Sequence, residues 1–342
     1  MQGLTLIGSG WHPHLFRAEI KALTGPLEII HPRVVYIPHT DSTIRRLSRA
    51  ALLDEVLSSA GRVWLHTSIT DGELSQHIAE WAGSNLPKGS FAVRARNLGT
   101  GIDGLSRNAI EGEVGALVMS EANPVDLESP EHEIVVVLAG PEDGPIHRDS
   151  MNFIGPKVVW GLRESAWQRE SFAGRAPTDR PFFQPVSLDP RQARLLISLA
   201  HRAGVESTTV VDPFCGTGGI AIEAALQGLE TLASDLDGRM VEGTRQNLDW
   251  AGVSASVEMS AVSDIASIWG ERSGCIFAFD PPYGRSSWKS GDGLELLLEA
   301  MSAAHQIDSQ GAVCTMLPAD PETLSQESEQ DYQVMGRPWG EI

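Results

Sequence analysis

One short run constrains this chain more than any other: Thr208-Thr209-Val210-Val211-Asp212-Pro213-Phe214-Cys215-Gly216-Thr217-Gly218-Gly219. A β-branched strand ends on a carboxylate, passes through a glycine-rich turn and opens a helix. In open α/β sheets ligands sit beyond the carboxyl ends of the strands, where such a turn lets backbone N–H groups approach closely. A tight turn that merely needs positive φ would carry the same glycines, so the turn alone does not decide.

Two further acids narrow the reading. Asp235 ends the next strand and is placed to accept ribose hydroxyls of a nucleoside. Asp264 follows the strand after that; it either faces an adenine amino group or is a solvated loop acid. Nicotinamide dinucleotides and S-adenosyl-L-methionine both suit this layout. Asp212, Phe214, Gly216, Gly218, Asp235, Asp264 and Asp280 form the candidate cofactor set.

The choice rests on a second segment, Phe277-Ala278-Phe279-Asp280-Pro281-Pro282-Tyr283-Gly284. A buried-type strand delivers a carboxylate to the sheet edge, and two prolines remove N–H donors from the residues that follow. Acceptors therefore dominate, which is what an aromatic amino group needs. Its lone pair is delocalised, and hydrogen bonds from both N–H groups to oxygen favour a pyramidal, nucleophilic nitrogen. Tyr283 offers a plate on which a base can stack. Asp280, Pro281 and Tyr283 are the candidate catalytic residues, as acceptor, carbonyl acceptor and stacking surface. Asp280, in addition, is placed to take the proton after transfer. No His, Tyr-Lys or Cys arrangement for hydride transfer accompanies the turn, which disfavours a nicotinamide oxidoreductase. Cys215 reads as a small apolar filler, without a nearby His to activate it.

Around these motifs strands and helices alternate from residue 185 onward, as in a mostly parallel sheet covered on both faces. The first half alternates too. Apolar residues at Ile44, Leu47, Ala51, Leu52 and Val56 predict one helix over residues 42–59, with Ser42 as N-cap. Leu74, Ile78 and Trp81 mark a helix over 71–82, followed by a strand at 90–96, a helix at 108–119 and a strand at 133–138. Residues 141–180 show weak periodicity and read as a linker. There Arg163, Arg169, Arg175 and Arg180 interleave with Trp160, Trp167 and Phe172, either as a path for a polyanion or as a loop pinned by aromatic rings.

At 342 residues the chain is long enough for two or three domains. Its net charge of −19 speaks at first against nucleic acid. The acid load, however, lies mainly beyond residue 185, and Lys is scarce beside Arg, a balance that would suit solubility in high salt. Cys215, Cys275 and Cys314 form no Cys-x-x-Cys pair, so neither a disulfide framework nor a zinc site is expected. With no long apolar run and no secretory-type start, the expectation is a cytoplasmic protein with no membrane partner.

The wording of the two motifs resembles S-adenosylmethionine-dependent amino-methyltransferases. The stretch Arg180-Pro181-Phe182-Phe183-Gln184-Pro185-Val186-Ser187-Leu188-Asp189-Pro190 that leads into them is similar to the archaeal and eukaryotic tRNA guanosine-10 2-amino methyltransferase family. Phe91-Ala92-Val93-Arg94-Ala95-Arg96 and Asn123-Pro124-Val125-Asp126-Leu127 resemble a THUMP domain, an RNA-binding unit of tRNA-modifying enzymes. The resemblance implies a ferredoxin-like domain over 1–65, a THUMP-like domain over 66–150, a linker over 151–184 and a Rossmann-like methyltransferase domain over 185–342. It implies tRNA as partner, with Arg94, Arg96 and Arg107 as candidate RNA contacts, and brings in a small zinc-binding activating subunit as a second candidate. Alternatives are the same chemistry at another guanosine, such as tRNA position 6 or one in rRNA, and a non-catalytic tRNA-binding module. The family's usual terminal hairpin looks reduced here to Tyr332-Gln333-Val334-Met335.

Overall fold

A computed structural model of the chain describes residues 3–10, 12–64, 69–141, 157–185, 187–282 and 292–316. The expected stacking residue Tyr283 and the terminal segment 332–335 lie outside the described residues. The chain divides into two compact units, Met1–Glu170 and Ser171–Ile342.

The first unit is one seven-stranded sheet: β1 (Gly3–Gly8), β2 (Glu28–His31), β3 (Val34–Pro38), β4 (Leu53–Trp64), β5 (Phe91–Leu98), β6 (His132–Ala139) and β7 (Lys157–Arg163), in spatial order β2-β3-β1-β4-β7-β6-β5. Helices α1 (Pro13–Thr24), α2 (Thr43–Leu47), α3 (Asp71–Asn85) and α4 (Arg107–Val118) belong to the same unit. Helix α3 starts with a capping box between Thr70 and Glu73, which satisfies two end N–H groups reciprocally. Leu74, Ile78, Ile110 and Val114 of α3 and α4 pack against Phe91, Ile134, Val136 and Trp160 of the sheet.

Two expectations are corrected here. The helix predicted over 42–59 stops at Leu47, and β4 begins at Leu53. Its helical period is overridden by pairing: Val56 and Leu57 sit opposite Leu6 and Thr5 of β1, while the same strand pairs β7 on its other edge. The turn between α2 and β4 is held by Glu19, whose fully buried carboxylate accepts from the N–H groups of Ala51 and Leu52 at 2.6 and 2.9 Å. Second, the stretch expected as a linker contains β7. Val158, Val159 and Trp160 are all buried, because an interior strand covered on both faces gives a continuous apolar run with no alternation to detect. One sheet thus runs from residue 3 to residue 163, across the boundary placed at residues 65 and 66.

The second unit carries a five-stranded, all-parallel sheet: β8 (Thr209–Asp212), β9 (Glu230–Asp235), β10 (Ser256–Met259), β11 (Cys275–Phe279) and β12 (Ala312–Thr315). Their order is β10-β9-β8-β11-β12. Sequential strands run outward from β8 in one direction, then the chain crosses back to β11 on the other side. The crevice outside the carboxyl ends of β8 and β11 is therefore the topological switch point, where ligands of such sheets bind. Helices α5 (Pro190–Leu199), α6 (Gly219–Leu226), α7 (Gly238–Ala251), α8 (Ile265–Trp269) and α9 (Asp292–Ile307) cover it. One face packs Ile197, Ile220 and Ala224 on Val210 and Ile276; the other packs Ile265, Ala300 and Ile307 on Val211 and Phe277. This α/β architecture, with its parallel sheet in the C-terminal half, is the expected one.

Candidate active site

The two motifs meet at the switch point because β8 and β11 are neighbours in register, with Val211 opposite Phe277. Phe214 of the first motif and Phe279 of the second touch edge to face, ring centres 5.6 Å apart. That contact fixes the glycine turn beside the strand that carries Asp280.

The turn is built from its hydrogen bonds. Gly218 N–H donates to the Cys215 carbonyl at 2.7 Å, and Cys215 N–H donates to Ser234 on β9 at 2.8 Å. Gly216 and Gly218 have φ of 52° and 80°, a left-handed backbone that only glycine adopts without strain. At Gly218 a Cβ would also sit 2.9 Å from the Thr244 side chain. Asp235 closes the turn from below: its two oxygens accept from the N–H groups of Gly216 and Asp237, each at 2.9 Å. Each oxygen keeps a lone pair for a further donor. On either side of it, Leu236 is 76% exposed and Met259, at the end of β10, is 66% exposed. Both are apolar side chains left in water at the ligand edge of the sheet. Sequence reading missed them; for Leu236 the available signal was an apolar residue directly after the strand-ending Asp235.

Three carboxylates gather at this edge. Asp212 is buried, 1% exposed, and its Oδ1 accepts from Phe214 N–H at 3.1 Å. Burial pushes its carboxyl up to about 8 against the pull of that hydrogen bond, and the charges of Asp235 and Asp280 add to the rise. Asp280 is half-buried, and burial pushes its carboxyl up to about 6. Its Oδ1 is shielded from solvent and has no hydrogen-bond partner among the described residues. Pro281, next to it, is buried and has no N–H to offer. The acceptor at the end of β11 is thus unsatisfied among the described residues, and a buried acceptor left so is costly unless a donor is supplied to it. Burial raises the Cys215 thiol far above its ordinary value, in keeping with a filler rather than a nucleophile. Asp264 is exposed at a short 3₁₀ turn after β10, its oxygen 3.4 Å from the Ser263 hydroxyl.

These residues fit S-adenosyl-L-methionine. The edge offers a glycine cradle, an oriented carboxylate whose free lone pairs suit ribose hydroxyls, and exposed apolar side chains against which a purine could lie. Among the described residues no cluster of His, Cys, Asp or Glu is arranged to hold a metal ion, and no helix is long and apolar enough to cross a membrane.

The three expected RNA contacts differ. Arg94 pairs with Glu133 at 3.1 Å and donates to the Leu127 carbonyl at 2.7 Å. Arg96 lies 3.8 and 3.7 Å from Asp54 and Glu55. Arg107, in the first turn of α4, is exposed and makes no ion pair among the described residues. The interleaved arginines and aromatic rings around residue 170 follow the pinned-loop reading. Trp160 and Trp167 are buried, Arg163 and Arg169 pair with Glu55 and Asp54, and Arg175 pairs with Glu223. Arg180 is buried as well, its guanidinium donating to the carbonyls of Arg175 and Leu188 at 3.4 Å.

Residues 177–342 match a family described as UPF0020, RMKL-like, methyltransferase domain. A tRNA (guanine(10)-N2)-dimethyltransferase of Methanothermobacter thermautotrophicus is 32% identical over 287 residues, covering 83% of this chain and 75% of that protein. The enzyme of the same name from Pyrococcus abyssi is 30% identical over 259 residues, covering 75% of this chain and 71% of its own. Among solved structures, that of TrmN from Thermus thermophilus aligns with a TM-score of 0.47 and 20% identity, over 89% of this chain and 86% of that one.

Proposed function

Because this chain belongs to the tRNA (guanine(10)-N2)-dimethyltransferase family, we propose that its switch-point crevice methylates the exocyclic 2-amino group of guanosine 10 in tRNA. The observation that carries this reading is the buried Oδ1 of Asp280 beside the glycine turn, which has no hydrogen-bond partner among the described residues. Bound S-adenosylmethionine supplies an activated methyl group on a sulfonium centre.

The chain's own residues do the rest. Gly216 and Gly218 admit the cofactor against the turn, and Asp235 accepts from its ribose hydroxyls. Leu236 and Met259 present the apolar faces between which a purine ring loses its contact with water. Asp264, exposed after β10, would face the adenine amino group. At the other side Asp280 accepts an N–H of the target amine, and the Pro281 carbonyl accepts the second. Two acceptors turn the nitrogen lone pair toward the methyl donor, and holding both reactants in line supplies much of the rate effect. Asp280 then takes the proton released when the new C–N bond forms, as a carboxylate whose raised affinity for protons suits a base. Tyr283 provides the stacking surface for the extruded base.

We infer that the first unit grips tRNA in the manner of a THUMP domain, with Arg107 among its phosphate contacts, and that the enzyme works in the cytoplasm. A small zinc-binding subunit is a further candidate partner, on the family resemblance alone.

Incubating the protein with methyl-labelled cofactor and tRNA transcripts, followed by nucleoside mapping, tests the function. Label in N2-methylated guanosine at position 10 supports it, and the map reads whether one or two methyls are placed. Label that persists when guanosine 10 is replaced assigns the chemistry to another site, and absence of transfer by a protein that binds cofactor and tRNA leaves only a binding module.

A further inference from the structure

Helix α7 carries two fully buried polar side chains, Thr244 and Asn247, three residues apart and so on one face. Both reach the carbonyl side of the cofactor turn. Thr244 Oγ1 donates to the Gly216 carbonyl at 2.9 Å, and Asn247 Nδ2 donates to the Thr217 carbonyl at 2.8 Å. Asn247 also holds the segment that leads into the turn: Nδ2 donates to the Phe182 carbonyl at 2.8 Å, and Oδ1 accepts from Phe182 N–H at 2.9 Å. The same segment is tied to the turn again by a 2.9 Å hydroxyl pair, Thr217 with Ser187. The Phe182 ring lies flat on α7, so close that a Cβ at Gly243 would come within 2.1 Å of it.

We propose that α7 is the template of the cofactor turn: Thr244 and Asn247 are positioning residues that hold the Gly216 and Thr217 carbonyls to the rear, so that the Thr217 N–H is aimed away from α7 toward the ligand side while the Gly218 N–H closes the turn on the Cys215 carbonyl, and Asn247 couples docking of the lead-in segment to that shape. A peptide unit has its carbonyl and N–H on opposite sides, so fixing one aims the other. Only a side-chain amide can give two hydrogens and accept one at this position; a carboxylate gives none and would confront two carbonyl oxygens. This rests on the cofactor reading above and adds the residues that shape the cradle without touching its occupant.

The test uses the full chain and S-adenosylhomocysteine as binding probe. Asn247→Ala is expected to weaken S-adenosylhomocysteine binding and raise the KM for S-adenosylmethionine by about tenfold, since three backbone groups lose their partner, while kcat at saturating cofactor stays near wild type. Asn247→Asp is expected to bind better at pH 5 than at pH 8 relative to wild type, because only the protonated acid can donate. Asn247→Ala should lack that pH term. Should Asn247→Ala not fold, Thr244→Val, which swaps a hydroxyl for a methyl of the same size, carries the test with an expected loss of about fivefold. Amide hydrogen exchange over residues 216–219 should quicken in each variant, a readout independent of activity. Folded variants that bind the probe like wild type and keep slow exchange at the turn overturn the template. A wild-type chain that neither binds the probe nor methylates tRNA, yet shows the exchange effect, overturns the functional reading and spares the template.

Discussion

The two sheets of this protein treat charge in opposite ways. In the first unit, charged groups on β4 to β7 and on the segment after β7 answer one another: Arg94 and Arg163 share Glu133, Arg163 and Arg96 share Glu55, and Arg169 takes Asp54. In the second unit three carboxylates converge at the ends of parallel strands, with backbone N–H groups near them, and Asp280 keeps an oxygen that nothing described satisfies. The first arrangement minimises desolvation cost internally. The second leaves it open to a ligand, and the proposed chemistry rests on that contrast.

The largest expected effect tests the unsatisfied side. Asp280→Ala should bind S-adenosylhomocysteine like wild type yet lose methyl transfer to tRNA by about 10²- to 10⁴-fold; near-normal turnover rejects its role. For wild type, the transfer rate should climb with pH as the carboxylate forms, reach half its plateau near pH 6 and flatten above it. A rate independent of pH between 5 and 7 would sever Asp280 from the chemical step.

Asp212 sharpens the contrast through stability. The folded chain keeps this carboxyl neutral up to about pH 8, whereas the unfolded chain ionises it near pH 4. Between those values the native state holds the extra proton, so its contribution is fully present below about pH 4 and declines as pH rises toward about 8. Asp212→Asn, which mimics the neutral acid, should therefore raise the melting temperature relative to wild type at pH 8 and leave it unchanged at pH 4. Equal melting at both would show that the carboxyl is not buried as drawn.

A smaller loss is expected at Asp235. Replacing it with Ala strips acceptors from two backbone N–H groups and should weaken cofactor binding about tenfold, read by calorimetry. The smallest effects concern the first unit. Arg107→Ala should lower tRNA affinity only a few-fold and reduce the slope of log affinity against log salt by about one. Arg94→Ala, whose charge is already spent on Glu133, should leave that slope intact and cost at most about 1 kcal/mol of stability. If both arginines change the slope alike, the contrast between internally answered and outward charge fails.

The site was legible because its chemistry is local. A strand ending in Asp, glycines at the turn and an Asp-Pro-Pro run are contiguous in sequence, and their parallel strands carry them to one edge. What escaped was non-local. The residues after Leu47 carry a helical period in Leu52, Leu53, Val56 and Leu57, and only pairing with β1 and β7 makes them a strand. Strand β7 hid inside an apparent linker because it is covered on both faces. Arg94 and Arg96 looked available to a phosphate until the sheet brought Glu133, Asp54 and Glu55 beside them.

By itself the amino-acid order determined the parallel sheet, and it pointed to the strand edge and acceptor-rich tip on which the proposed chemistry rests. The tertiary structure alone decided which charges are spent inside the protein, that one sheet spans the first unit, and that Thr244 and Asn247 stand behind the glycine turn. The reason is range: turns and strand ends are written in neighbouring residues, whereas desolvation and pairing depend on side chains that meet only after distant segments have packed.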